Sequence, residues 1–207
     1  MPEPVVVVDY GAGNLRSAAK ALEAAGGTVT VSGDPAVVAT ASRIMLPGVG
    51  AFAQCIGALR DRSGLELALR EAVLERGVPF LGVCVGMQLL ADEGHEHGSH
   101  AGLGWLPGTV TRMTPNDATL KIPHMGWNEV VETAPHPVLP SLAGTGYFVH
   151  SYRFDVADRA HCLATTGHGG DFASVVGRAN MLGVQFHPEK SQAYGLRFLA
   201  GFLAWRP

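Results

Sequence analysis

The hydrophobic pattern of this chain changes character halfway along. In the first half, β-branched runs at 5–9 and 28–31 are separated by an alanine-rich helical stretch at 15–25, and 43–46 supplies a further short strand. From Leu65 the apolar positions Leu65, Ala68, Leu69, Ala72 and Val73 recur at helical spacing, with Ser63 and Glu66 in capping-box relation, so a helix is expected to run to about Arg76. That helix delivers the chain to an apolar run at 79–83. Strand, helix and strand in alternation predict a parallel, doubly wound α/β sheet.

In the second half, strand candidates at 108–113, 128–132, 146–149, 161–166, 174–178 and 181–186 are divided by Gly, Pro and Asn, with no long helix among them. Antiparallel additions to a mostly parallel sheet are expected there. Leu196, Leu199 and Leu203 then repeat at helical spacing and predict a closing helix over 193–205. With 207 residues, one domain spanning 1–207 is expected, with a substantial core.

The run at 79–83 ends in chemistry. Gly82-Val83-Cys84-Val85-Gly86 places a cysteine between two glycines where a buried strand turns into a helix. A nucleophile at a sharp corner needs neighbours without Cβ atoms, as in the Gly-x-Ser-x-Gly elbow of hydrolases. The same corner leaves the Val85 N–H free to face an oxyanion, and the helix start favours a thiolate. The competing reading is a small apolar cysteine in a buried strand. Far downstream, the 181–186 run is followed by His187-Pro188-Glu189. Proline holds this segment extended, so His187 and Glu189 are expected on one side, with Glu189 fixing the tautomer that leaves the other ring nitrogen free for Cys84. Pro47-Gly48-Val49-Gly50, after the strand at 43–46, is placed to offer a second oxyanion donor at Val49 or Gly50. The glycines around Val49 also allow its peptide to turn over, with a resting state that points the Val49 carbonyl into the oxyanion site.

Composition narrows the alternatives. The chain is 47% hydrophobic and 16% charged with a formal net charge of −3, which offers no basic footprint for nucleic acid. The short valine run near the N-terminus suits neither a signal segment nor a membrane span, so a cytoplasmic protein is expected. Three cysteines, Cys55, Cys84 and Cys162, are too few and scattered for a disulfide framework. Asp9-Tyr10-Gly11-Ala12-Gly13-Asn14-Leu15-Arg16 places Arg16 where a dinucleotide turn needs glycine or alanine, so no cofactor is expected. His95, His97 and His100 crowd one polar loop, but without a nearby cysteine they read as a solvated loop rather than a metal site.

Gly-Val-Cys-Val-Gly-Met-Gln with His-Pro-Glu resembles the triad-type, class I glutamine amidotransferases. Within that family, the segments at 9–14, 47–52, 121–128, 150–152 and 187–191 are similar to those of the glutaminase subunits of imidazole glycerol phosphate synthases. The resemblance implies hydrolysis of glutamine to glutamate and ammonia by Cys84, His187 and Glu189, with Gln88 and the backbone of Ser151 and Tyr152 holding glutamine. It also implies a separate (β/α)8-barrel cyclase that consumes the ammonia in histidine biosynthesis, contacted through Asn14, Trp127 and Lys190. From the residues alone, Trp127 can equally be core, Lys190 a solvated charge and Asn14 a turn or cap residue. A glutaminase of another amidotransferase, a cysteine peptidase with the same triad and a non-catalytic binding module remain alternatives.

Overall fold

The structure is a computed structural model that describes residues 4–139 and 144–207. Its first half runs β1 (Val5–Val8), α1 (Leu15–Ala24), β2 (Val29–Ser32), α2 (Pro35–Ala39), β3 (Ile44–Gly48), α3 (Phe52–Asp61), α4 (Leu65–Arg70), β4 (Phe80–Cys84) and the one-turn α5 (Val85–Gln88). The second half runs β5 (Glu93–Gly94), β6 (His100–Ala101), β7 (Gly108–Arg112), β8 (His124–Glu132), β9 (Gly144–His150), β10 (Tyr152–Val156), β11 (Cys162–Gly167), β12 (Asp171–Arg178), β13 (Met181–Val184) and α6 (Gln192–Ala204).

Nine strands form one sheet in the order β2-β1-β3-β4-β13-β12-β11-β8-β9. The pairings from β2 to β13 are parallel, and those from β13 to β9 are antiparallel. This is the mixed α/β sheet that the change of pattern predicts. Every residue of β1, β3, β4 and β13 is buried, as strands covered on both faces require. The order reverses direction at β1, so right-handed crossovers place α1 and α2 on opposite faces. Outside the carboxyl ends of strands beside such a reversal lies the usual ligand crevice of open α/β sheets.

A second, four-stranded sheet, β10-β7-β5-β6, was not expected. Two of its strands are two residues long and bracket the histidine-rich loop, which closes as a short hairpin with an exposed, irregular tip at 95–99. The capping box is also not formed. Gly64, with φ 79°, takes the N-cap of α4, which moves Glu66 one position too early, and its carboxylate meets Arg60 Nε at 3.1 Å instead. Beyond α4 the chain widens into a π-turn, Glu71–Glu75. At the other end of the sheet, the buried Arg43 donates through Nη1 to the Phe202 carbonyl at 2.6 Å and through Nη2 to the Trp205 carbonyl at 2.9 Å. A cation satisfying the last carbonyls of α6 fastens that helix to the start of β3.

Candidate active site

Strand register assembles the site. Gly48 of β3 pairs with Cys84 of β4, and Val83 of β4 pairs with Val184 of β13. Gly48, Cys84 and Gln185 therefore end three neighbouring strands at one level, with α5 packed over all three strands. That packing explains the glycines. A Cβ on Gly48 would strike the Gly86 nitrogen, one on Gly82 the Gly86 carbonyl, and one on Gly86 the Leu46 carbonyl. Cys84 has φ 55° and ψ −113°, a strained backbone for a side chain with a Cβ. α5 is a single turn, so it offers the N–H groups of a first helical turn beside Cys84 rather than a long helix dipole.

A cavity of about 390 Å³ opens over this corner and is lined by Val49, Gly50, Cys84, Val85, Gln88, Ser151, Tyr152, His187 and Lys190 among others. The candidates expected from sequence at the nucleophile, oxyanion and substrate positions thus share one cavity. Glu189 and Asn14 lie behind it and line a smaller recess together with Gly48, Val49 and His187. Asn14 caps α1 by accepting from the Ser17 N–H at 3.3 Å. Trp127 is outside the cavity and about half exposed, edge-on to the Tyr147 ring at 5.7 Å. Lys190 Nζ lies over the other member of that pair, 5.8 Å from the Tyr147 centroid.

His187 does not sit on an extended segment through Glu189. Its own backbone is extended, but Pro188–Lys190 form a 3-10 turn that folds Glu189 back to the ring. Nδ1 of His187 and Oε1 of Glu189 are 2.8 Å apart, and both side chains are nearly buried. Ser191 locks the segment, donating from Oγ to the His187 carbonyl at 2.6 Å and accepting from the Tyr147 N–H at 2.9 Å. Burial alone would push the imidazole pKa down. The neighbouring Cys84 and Glu189 side chains outweigh it and raise the ring to about 9. The ring therefore holds its proton beside the sulfur, where it can pass it to a departing group.

The oxyanion strand is held from below. Tyr10 donates its hydroxyl to the Pro47 carbonyl at 2.7 Å, and Cys55 donates its thiol to the Val49 carbonyl at 3.3 Å. Burial pushes the Cys55 thiol up, which keeps it a donor. The expectation that the Val49 carbonyl points into the oxyanion site is therefore corrected, because that carbonyl is engaged by Cys55. With the carbonyls of Pro47 and Val49 both clamped, the peptide between Gly48 and Val49 is the one flanked by fixed neighbours. Gly50, at φ 97°, then turns the chain towards α3.

Several participants were not anticipated. Glu96, from the histidine-rich hairpin, lines the cavity and accepts from the Phe52 N–H at 2.8 Å. Gln185 is completely buried, and its amide Nε2 lies 3.6 Å from Cys84 Sγ. The one signal for it was a primary amide inside an otherwise apolar strand run. His150 lines the cavity and makes a chain with His124. The Tyr152 carbonyl can only accept, so His150 Nδ1 donates to it at 2.9 Å, leaving Nε2 to accept from His124 Nδ1 at 3.0 Å. His124 Nε2 then accepts from Asn128 Nδ2 at 3.1 Å. Burial, partly offset by the bond to Tyr152 and reinforced by neighbouring histidines, lowers His150 to about 3. Burial and His168 lower His124 to about 4. The neutral chain joins the backbone beside the cavity to β8, the strand that carries Trp127. Among the described residues no group of three or more His, Cys, Asp or Glu is arranged to hold a metal ion, and no helix is long and apolar enough to cross a membrane.

Comparison with known proteins agrees with this chemistry. An imidazole glycerol phosphate synthase subunit HisH of Zymomonas mobilis is 56% identical, covering 98% of this chain and 96% of its own length. A subunit of the same name from Rhodospirillum rubrum is 54% identical over 98% of this chain and 99% of its own. Among solved structures, a glutamine amidotransferase superposes with a TM-score of 0.74 at 22% identity, covering 97% of this chain and 99% of its own. PurLQS from Thermotoga maritima superposes with a TM-score of 0.75 at 20% identity over 98% of each chain, so these two carry the fold alone. The family model for glutamine amidotransferase class-I matches residues 6–204, and the chain belongs to that family.

Proposed function

We propose that this chain is the glutaminase subunit of an imidazole glycerol phosphate synthase. It hydrolyses glutamine to glutamate and ammonia in the cytoplasm and passes the ammonia to a separate (β/α)8-barrel cyclase subunit of the histidine pathway. The observation that carries the chemistry is the strained Cys84, which shares a cavity with a His187 ring raised to about 9 and bonded to Glu189. The names of relatives that match nearly the whole chain support the choice of synthase.

In this reading the Cys84 thiolate attacks the side-chain amide carbon of glutamine. The oxyanion that forms takes hydrogen bonds from the Val85 N–H and from the Val49 and Gly50 segment. Collapse breaks the C–N bond, and His187 gives its proton to the departing nitrogen, releasing ammonia and leaving a γ-glutamyl thioester. The neutral ring then takes a proton from water as the water attacks the thioester, and expulsion of the thiolate restores the ion pair. Gln88, Ser151 and Tyr152 hold the amino acid, and Glu96, a carboxylate lining the same cavity, meets the α-ammonium group.

A partner follows from the product. Ammonia released to water protonates and escapes, so its use requires a dry exit into the chain that consumes it. Asn14, Trp127 and Lys190 are assigned to that contact; Trp127 is exposed on β8, and Lys190 and Asn14 lie around His187 and Glu189. The test is glutamine hydrolysis by the chain with and without a nucleotide-loaded cyclase subunit. Strong stimulation by that subunit, with glutamate formed from free glutamine, is the expected result. Cleavage of peptides in place of free glutamine contradicts the reading.

A further inference from the structure

Cys84 and Gln185 are 101 residues apart in the chain, yet Gln185 Nε2 lies 3.6 Å from Cys84 Sγ. We propose that Gln185 is a further catalytic residue, whose side-chain N–H stabilises the Cys84 thiolate. The proposal rests on the glutaminase reading above.

The direction of this bond is determined by its neighbours. Gln88 Nε2 faces the Tyr152 carbonyl at 3.1 Å and Gln185 Oε1 at 2.9 Å. A backbone carbonyl only accepts, so that atom of Gln88 is the amide nitrogen, and its two hydrogens are used by these two acceptors. The Gln185 atom facing Gln88 must then be oxygen, which turns its NH2 towards the sulfur. The Tyr152 carbonyl is itself held from the other side by His150, and His150 by His124. The amide of Gln185 is thus locked in the donating orientation by a chain that reaches β8.

A neutral thiol is a weak acceptor and a thiolate a strong one, so this bond favours ionised sulfur. It acts twice in a turnover: on the attacking thiolate, and on the same thiolate when water displaces it from the thioester. Its placement also accounts for a buried amide where the flanking Val184 and Phe186 are apolar. A primary amide costs free energy to bury unless its hydrogen bonds are made, and here the bond is made to the reacting atom. The His187 ring supplies charge to the sulfur from the opposite partner of the pair, whereas Gln185 supplies a fixed dipole that neither gains nor loses a proton.

The experiment compares Gln185→Met, similar in shape and without a donor, with the parent chain, each assembled with the cyclase. Two readouts are taken: steady-state glutamine hydrolysis, and the ultraviolet absorbance of the Cys84 thiolate, measured as the difference from Cys84→Ala in the same background. A hydrogen bond to a charged group is worth a factor of about 10 to 100. The expected result is a loss of that size in kcat with KM within about twofold, together with a smaller thiolate absorbance at the same pH. Co-elution of the variant with the cyclase on gel filtration, as for the parent chain, shows that the subunit still docks. Should Gln185→Met fail to assemble, Gln185→Asn keeps the polarity but withdraws the amide by one methylene, and the same two losses are expected. Parent-level thiolate absorbance in the assembled variant overturns the proposal and leaves Gln185 a packing residue. A parent chain that shows the thiolate yet hydrolyses no glutamine contradicts the glutaminase reading instead, and the absorbance comparison still decides the role of Gln185.

Discussion

The Nδ1 atom of His187 lies 2.8 Å from Oε1 of Glu189, with Pro188 between them in the chain. The 3-10 turn that begins at Pro188 brings the carboxylate back to the ring, so one short segment supplies both the proton carrier and the group that orients it. Removing the orienter costs less than removing the carrier. His187→Ala is expected to lower kcat nearly as far as Cys84→Ala, and Glu189→Gln to be about 100-fold milder than His187→Ala, in line with the ranking of such residues in other triads. Parent-level kcat in Glu189→Gln would remove Glu189 from the catalytic unit.

The raised imidazole sets a pH limit of definite sign. Below about 9 the ring holds its proton and can give it to the departing nitrogen; as pH rises through 9 that acid is lost. The value of kcat/KM for glutamine is therefore expected to fall on the alkaline side with a midpoint near 9. In Glu189→Gln the imidazolium loses a stabilising negative charge, so the fall moves to lower pH. An alkaline limb that stays in place in this variant would show that Glu189 does not hold the charged ring.

Backbone strain at the corner predicts a stability effect that opposes function. At φ 55° and ψ −113° a residue with a Cβ is destabilised by about 1–3 kcal/mol, and glycine is not. Cys84→Gly is expected to be inactive yet to unfold at a higher denaturant concentration than Cys84→Ala. By contrast, Gly86→Ala places a Cβ against the Leu46 carbonyl and is expected to be strongly destabilised. Equal midpoints for Cys84→Gly and Cys84→Ala would indicate that the corner is relaxed.

Trp127 and Lys190 both contact one ring, that of Tyr147. Trp127→Ala and Lys190→Ala are expected to weaken association with the cyclase, or its stimulation of glutamine hydrolysis, while the isolated chain keeps its thermal stability. An exposed aromatic on a strand is a typical interface anchor. Unchanged binding titrations and unchanged stimulation would make both ordinary surface residues.

Much of this site could be read along the chain because its signals are local. The strand before Cys84 is a continuous apolar run, and the glycines on either side of the cysteine announce a tight corner that the clashes at Gly82, Gly86 and Gly48 explain. What could not be read depends on register between distant strands. Gln185 meets Cys84 because Val184 pairs with Val83, and no spacing in sequence states that pairing. Glu96 reaches the cavity on a hairpin whose strands have two residues each, too short for any alternation of apolar and polar positions to show. Tyr152-Arg153-Phe154-Asp155-Val156 carries that alternation and forms β10, a strand missing from the candidates read along the chain. The capping box had the right residue types at the right spacing, but the positive φ of Gly64 shifted the helix start by one position.

The most direct measurement is the activity of a Cys84→Ala complex with each nitrogen source. If Cys84 serves only to release ammonia from glutamine, the cyclase retains its own chemistry. The complex is then expected to form no product from glutamine and to form it from ammonium salt at the rate of the parent complex. Loss of both activities together would contradict the account, because Cys84 would then be holding the complex in shape and not attacking glutamine.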